Sequence, residues 1–307
     1  MTSSSANVSS LFSTTFELSN TLRFQLFLIF DLLALICTIF VLYHLLNRRR
    51  SREALQNHAT ILILILAFFY EIIDIPLQLD FFRTGHVRFV SSTFCLFWLY
   101  VDYCFYFLIV DLLVFISFQR HFFIFHHHWF ISRRKRWLLH YLPLLSITLF
   151  MLVFYGILML APICESRFDY NQTVCGMYAC YSTIPFFLMF ERIAFSTMPC
   201  FLIIIFNVIL LIRVIRQKYR VHHSPRWRKQ RKLAIQVFLM SSLYVIFGFP
   251  LTIIYLVRMT LNTSWASDVM SVCFFLTYFV VFLLPCVCLS SLSKFWKRTH
   301  RVQQQQH

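Results

Sequence analysis

The chain has 307 residues, 59% of them hydrophobic and only 13% charged, with a formal net charge of +16. Soluble domains carry about a quarter charged residues, so this composition, with a mean hydropathy of +0.70, excludes an ordinary soluble enzyme or regulatory domain. The excess of positive charge does not mark a nucleic-acid-binding protein either, because the basic residues only punctuate long apolar runs.

Residues 1–23 are Ser/Thr-rich and lack the apolar core of a cleavable signal peptide, so they read as an extracellular tail. Seven apolar runs follow, near residues 24–46, 58–80, 92–119, 138–161, 186–215, 233–258 and 268–289. A helix needs ~20 mostly apolar residues to cross a hydrocarbon core. Helices are expected because unpaired backbone in lipid is too costly, and barrel strands would be shorter and alternating. The pattern therefore predicts an all-α membrane protein, a seven-transmembrane helix bundle over residues 24–290 with a cytoplasmic segment at 291–307.

The loops sort their charge by side. Arg48 to Arg52, Arg120 to Arg136, Arg213 to Lys232 and Lys294 to Arg301 hold 22 of the 28 Lys and Arg residues, opposed only by Glu53. That face sums to +21 and the rest of the chain to −5, which recovers the total of +16. Basic residues accumulate on the cytoplasmic side of short loops, and some of this charge is expected simply to rest against anionic lipid headgroups. Three Asn-x-Ser/Thr sequons, at Asn7, Asn171 and Asn262, fall on the opposite side and are candidate glycosylation sites. The two signals together predict a plasma-membrane protein with its N-terminus outside and its C-terminus inside.

Of ten cysteines, Cys95, Cys164, Cys175 and Cys180 lie on the predicted outer side. Two disulfides are expected there, with three pairings open. The other six read as small core residues.

Several spacings resemble the rhodopsin-like (class A) G-protein-coupled receptors. Cys95 lies 25 residues before Arg120, and the local sequence there is Gln119-Arg120-His121, where that family has a Cys atop the third helix and an Asp-Arg-Tyr motif at its inner end. Phe247-Gly248-Phe249-Pro250 stands where the family has Cys-Trp-x-Pro, and Leu284-Pro285-Cys286-Val287-Cys288 where it has Asn-Pro-x-x-Tyr. Pro199 matches the proline of the fifth helix, and Pro199, Pro250 and Pro285 are the expected kink positions. SLSKFWKR resembles the family's short amphipathic eighth helix. The resemblance covers nearly the whole chain and is closest to divergent invertebrate chemosensory or peptide-type members. It implies a bond from Cys95 to the second outer loop, an extracellular small-molecule amine or peptide ligand, and coupling of Gln119, Arg120 and His121 to a heterotrimeric G protein. The sequence departs from the family at Gln119, Ala67, Asn207, Gly248 and Cys288. Loss of the acid next to Arg120 reduces its restraint to a neutral hydrogen bond at most, which predicts raised basal activity.

Asp102, 18 residues before Arg120, stands where amine receptors of the family hold an ammonium group. An ionised carboxylate at membrane depth is a functional suspect by default; the competing expectation is an internal partner on the second or seventh helix. Tyr103 and Tyr106 follow within a helical turn, and Tyr255 and Tyr278 complete the expected ligand set. Glu71, Asp74 and Asp80 on the second helix are expected to make the outer cavity acidic and to steer cations. Glu191 and Arg192 are expected to pair with each other's neighbours. Arg120 and the stretch from Trp227 to Gln236 are the expected transducer contacts.

His126-His127-His128 reads as a solvated loop rather than a metal site. No phosphate loop or Ser-His-Asp order is present, so neither enzyme activity, cofactor nor metal is expected. A retinal-binding opsin is disfavoured because the seventh run has no Lys. The alternative to a receptor is a seven-helix channel or transporter, against which stand the lack of an inverted repeat and of broken half-helices.

Overall fold

A computed structural model of the chain describes residues 19–125, 132–160, 168–176, 180–220, 225–261 and 265–304. Seven of its helices are long and apolar enough to cross a membrane: α1 (Asn20–Asn47), α2 (Asn57–Thr84), α3 (Ser92–Phe122), α4 (Arg133–Met159), α5 (Pro185–Arg216), α6 (Ile235–Arg258) and α7 (Val269–Ser290). Each corresponds to one of the seven apolar runs, and the protein is a multi-pass seven-helix bundle.

The helices close into a ring, with α1 packed on α2 and α7, and α6 on α5 and α7. α3 runs through the middle, touching α2, α4, α5 and α6. About 72% of its apolar window is buried, against 28% for α1 and 22% for α4, so α3 is the core helix and α1 and α4 are lipid-facing. The sequence of α1 shows how the two faces are separated. Phe27, Asp31, Ala34, Thr38, Val41 and Leu45 are buried at alternating spacings of four and three, the period of one helical face. Ile29, Leu32, Ile36, Ile39 and Tyr43, on the other face, are exposed to the bilayer.

Three local departures from regular helix decide which side chains face inward. α4 contains a π-turn at Trp137–Tyr141, and α5 contains another at Ile193–Thr197. A π-turn inserts an extra residue and rotates the helix before it relative to the helix after it. In α4 it turns His140 fully inward while Trp137 and Leu138 stay exposed. In α5 it lies between the buried pair Glu191 and Arg192 and the proline Pro199. Thr197 Oγ1 donates to the Arg192 carbonyl at 3.0 Å, a side-chain bond back onto the start of the π-turn. Pro199 and Pro250 each lack the N–H that would bond four residues back.

The third departure is in α6, where the helix is interrupted at Gly248, between Pro225–Phe247 and Phe249–Leu261. A Cβ at Gly248 would sit 2.7 Å from the Tyr244 ring, so the aromatic occupies the space that a side chain would need. Tyr244 Oη in turn donates to the Ser196 carbonyl of α5 at 3.2 Å. Pro285, by contrast, sits inside unbroken helix.

The segment expected to form a separate eighth helix is helical, but it joins α7 in one continuous helix, Trp265–Gln304. Nothing in its backbone separates the two, which corrects the expectation of a distinct short element.

At one end of the bundle, Cys95 at the start of α3 forms a disulfide with Cys175, Cα to Cα 5.8 Å. This settles one of the three open pairings. Cys180 is disulfide-bonded as well, while Cys164 lies outside the described residues. The connection carrying Cys175 is also tied to the end of α2, where the Val87 N–H donates to the Tyr170 carbonyl at 2.7 Å.

Candidate functional site

A narrow cleft at the disulfide end, about 30 Å³ in volume, lies between α2, α3, α5, α6 and α7. Of the expected ligand set, Asp102, Tyr103, Tyr106 and Tyr255 line it. Tyr278 does not; it lines a smaller neighbouring cleft with Arg23 and Gln78 and stands behind Asp102. Tyr70 Oη donates to Asp102 Oδ1 at 2.5 Å and Tyr278 Oη to the same oxygen at 3.1 Å. Gln78 Nε2 donates to Tyr278 Oη at 2.7 Å, which orients the tyrosine. The expected internal partners on the second and seventh helices are therefore present. Both hydroxyls use Oδ1, and Oδ2 accepts no hydrogen bond among the described residues. A carboxylate has about four acceptor positions, so Asp102, which lines the cleft, keeps acceptor capacity at Oδ2.

Among the described residues, the acids of α2 do not line this cleft, which corrects the expectation of an acidic outer cavity. Glu71 and Asp74 are completely buried. Thr38 Oγ1 of α1 lies 3.1 Å from both Glu71 oxygens, and Trp98 Nε1 of α3 donates to Asp74 at 2.7 Å. Asp80 forms a partly exposed ion pair with Arg88 at 2.7 Å. These three acids face α1, α3 and solvent, and none lines the cleft. Counting acids along α2 could not reveal which way each pointed.

The ionised partner that the cleft does contain is Arg192, 7% exposed and lining the same wall as Tyr103 and Tyr255. Its Cζ lies 3.8 Å from the Tyr255 ring centroid and 5.8 Å from that of Tyr103, within cation–π range. The adjacent Glu191 is held elsewhere, with Tyr155 Oη donating to Oε1 at 3.0 Å and Tyr181 Oη at 2.9 Å. Burial pushes the Tyr181 phenol well above its usual range, so it remains the neutral donor. Sequence reading placed Glu191 and Arg192 at the start of α5 and expected each to pair with the other's neighbours, but gave neither a place in the cleft. The available signal was a pair of ionisable residues just ahead of Pro199 in an apolar run, a functional suspect by itself.

The other end of α3 is built differently. Arg120 is 3% exposed, and Ser117 and Ser241, at 3.1 Å, join α3 to α6 one turn away. The Gln119 amide hydrogen-bonds His140 Nδ1 of α4. His140 Nε2 lies 3.2 Å from His58 Nδ1 of α2, and His58 Nε2 lies 2.8 Å from the Arg52 carbonyl. One assignment satisfies every member: the Gln119 amide donates to His140, His140 Nε2–H to His58, and His58 Nε2–H to the carbonyl. His121 Nε2 donates to the Phe206 carbonyl of α5 at 2.9 Å. The three residues Gln119, Arg120 and His121 thus point to different neighbours around α3.

The remaining departures from the expected motif are packed as ordinary core. Ala67 is fully buried, Asn207 Nδ2 donates to the Ile203 carbonyl at 2.7 Å, and Cys288 Sγ lies 3.8 Å from Gln236 Nε2. The candidate glycosylation site Asn171 is exposed, whereas Asn7, Asn262 and His126-His127-His128 lie outside the described residues, as do the side chains of residues 227–234. Among the described residues no group of three or more His, Cys, Asp or Glu could hold a metal ion.

The family described as 7 transmembrane receptor (rhodopsin family) matches residues 39–288. No curated protein matches the chain.

Proposed function

Because the chain belongs to the rhodopsin family of seven-transmembrane receptors, we propose that it is a plasma-membrane receptor that binds an extracellular ligand in the Asp102 cleft and activates a heterotrimeric G protein through the Arg120 end. One observation carries this reading: a single buried helix, α3, contributes Asp102 to the cleft and a buried arginine to the opposite end. The 18 residues between them correspond to about 27 Å of helix. A ligand that binds one packing of this helix better than another shifts the population at the far end.

In this reading the disulfide end faces outward and the basic end inward, with residues 1–23 outside, 24–290 in the bilayer and 291–307 inside. Asn7, Asn171 and Asn262 carry the glycans, and Cys164 pairs with Cys180. Asp102 takes a cationic group on the ligand, a small amine or the end of a peptide, through Oδ2. Tyr103, Tyr106 and Tyr255 form the aromatic wall, and Tyr278 positions Asp102 from behind. Gln119 and His121 flank Arg120 at the transducer face.

The test needs no ligand: basal recruitment of a panel of G-protein surrogates in cells, wild type against Arg120→Ala at matched surface expression. A wild-type signal that is lost in the variant is the expected result. Equal signals from both would remove Arg120 from the coupling face. Ion current without any G protein would favour a channel instead.

A further inference from the structure

The guanidinium of Arg192 makes no side-chain hydrogen bond to an acceptor among the described residues, although it is more than nine-tenths buried. Its Nε is buried without a partner, and so is Glu191 Oε2. The two are 3.9 Å apart, beyond hydrogen-bond distance. Glu191 is not free to close that gap, because two tyrosine hydroxyls hold its other oxygen. Arg192 is likewise held in place, with the Tyr255 ring 3.8 Å from Cζ. The result is a rigid fork of five N–H donors, positioned by a ring face and lining a cleft.

A buried donor without an acceptor is destabilising. Planar carboxylates match the guanidinium fork with two parallel hydrogen bonds. The same cleft holds Asp102, whose Oδ2 has acceptor capacity. A simple amine would bring a second cation into a cleft that already contains Arg192 and would leave the guanidinium unsatisfied. A simple carboxylate would do the same to Asp102. A ligand with both groups satisfies both residues and adds no net charge. The cleft is narrow, about 30 Å³, which favours a small ligand over a bulky one.

We propose that Arg192 anchors a carboxylate, and that the cleft takes a small zwitterion, a free amino acid or a very short peptide, with its ammonium at Asp102 and its carboxylate at Arg192. This rests on the proposed receptor reading and adds the ligand's second charge and the residue that selects it.

The test is thermal unfolding of the purified full-length protein with the standard L-amino acids and their dipeptides with glycine. Each probe is also supplied as its C-terminal amide and as its N-acetyl form. We expect at least one free zwitterion to raise the unfolding temperature, with both blocked forms at least about tenfold weaker in apparent affinity, a difference of about 1.4 kcal/mol or more. Arg192→Gln should respond equally to acid and amide. Arg192→Lys, which keeps the charge but not the fork, should retain a reduced preference for the acid and serves where the Gln variant does not fold. No stabilisation by any zwitterion, amides as effective as acids in the wild type, or an acid preference that survives Arg192→Gln would each overturn the inference. This readout uses no G protein and the basal-recruitment test uses no ligand, so the failure of one is distinguishable from the failure of the other.

Discussion

The two ends of α3 hold their polar groups in opposite ways. At the disulfide end, charged groups are kept in place by neutral hydroxyls: Asp102 by Tyr70 and Tyr278, Glu191 by Tyr155 and Tyr181. At the basic end, Gln119, His140 and His58 form a chain of amide and imidazole groups that ends on a backbone carbonyl. Hydrogen bonds to charged groups contribute about 1.5–3 kcal/mol and neutral ones about 0.5–1.5. The disulfide end is therefore the more firmly tied, and a covalent bond reinforces it. The basic end, which would have to open for coupling, is held by weaker links from α2 and α4. Raised basal activity is expected because the acid next to Arg120 is missing and Gln119, in its place, is turned to His140.

Substitutions can test this contrast. The largest effect is expected from Cys175→Ser, which removes a crosslink between residues 80 apart in sequence. It should destabilise the protein by about 2–5 kcal/mol, read as a lower unfolding temperature and less protein at the cell surface. Unchanged thermal stability would mean that the disulfide end is tied mainly by its hydroxyl contacts.

Next is His140→Phe, which deprives both Gln119 and His58 of a partner. About 1–3 kcal/mol is expected for the buried Gln119 amide left unpaired, since His58 keeps its contact with the Arg52 carbonyl, together with a rise in basal G-protein recruitment. If stability falls but recruitment does not rise, the imidazole chain supports the fold without restraining the transducer end.

Gly248→Ala should then cost about 1–3 kcal/mol, because the added methyl meets the Tyr244 ring. Combining it with Tyr244→Leu should recover part of the loss, and additivity of the two would exclude the contact as the cause. Smallest is Tyr278→Phe, which removes one of two donors to Asp102 and the acceptor of Gln78. A loss of about 1.5 kcal/mol is expected, the lower end for a hydrogen bond to a charged group, because Tyr70 still holds Asp102. A loss as large as that from Cys175→Ser would mean that the hydroxyls, rather than the disulfide, dominate that end.

Much of this site was legible in the sequence. Asp102, Tyr103, Tyr106 and Tyr255 line one cleft; Asp102 and Tyr106 lie one helical turn apart on α3 and share a face, whereas Tyr255 comes from α6. Tyr278 was close, displaced by one layer. The acids of α2 were misread, since their environment depends on which neighbour packs against each face. Trp98 and Thr38, on other helices, take up Asp74 and Glu71. His140 was overlooked as a partner, and Arg192 as part of the cleft wall, because His140 lies within one π-turn and Arg192 immediately before another. That extra residue changes the facing of everything before it and has no reliable signature in a string of Phe, Leu and Ile.

The number of spans, their lengths and the separation of charge between their ends follow from composition alone, because the bilayer selects for apolar length irrespective of which helix packs on which. A cysteine pair and a family of motifs could also be placed in order along the chain. Only the tertiary structure decided that Cys95 bonds Cys175, that Gly248 makes room for Tyr244, and that one arginine and one aspartate face a common cleft. Those outcomes depend on rotations of whole helices about their axes, set by π-turns, a glycine break and long-range packing, which no local pattern of residues specifies.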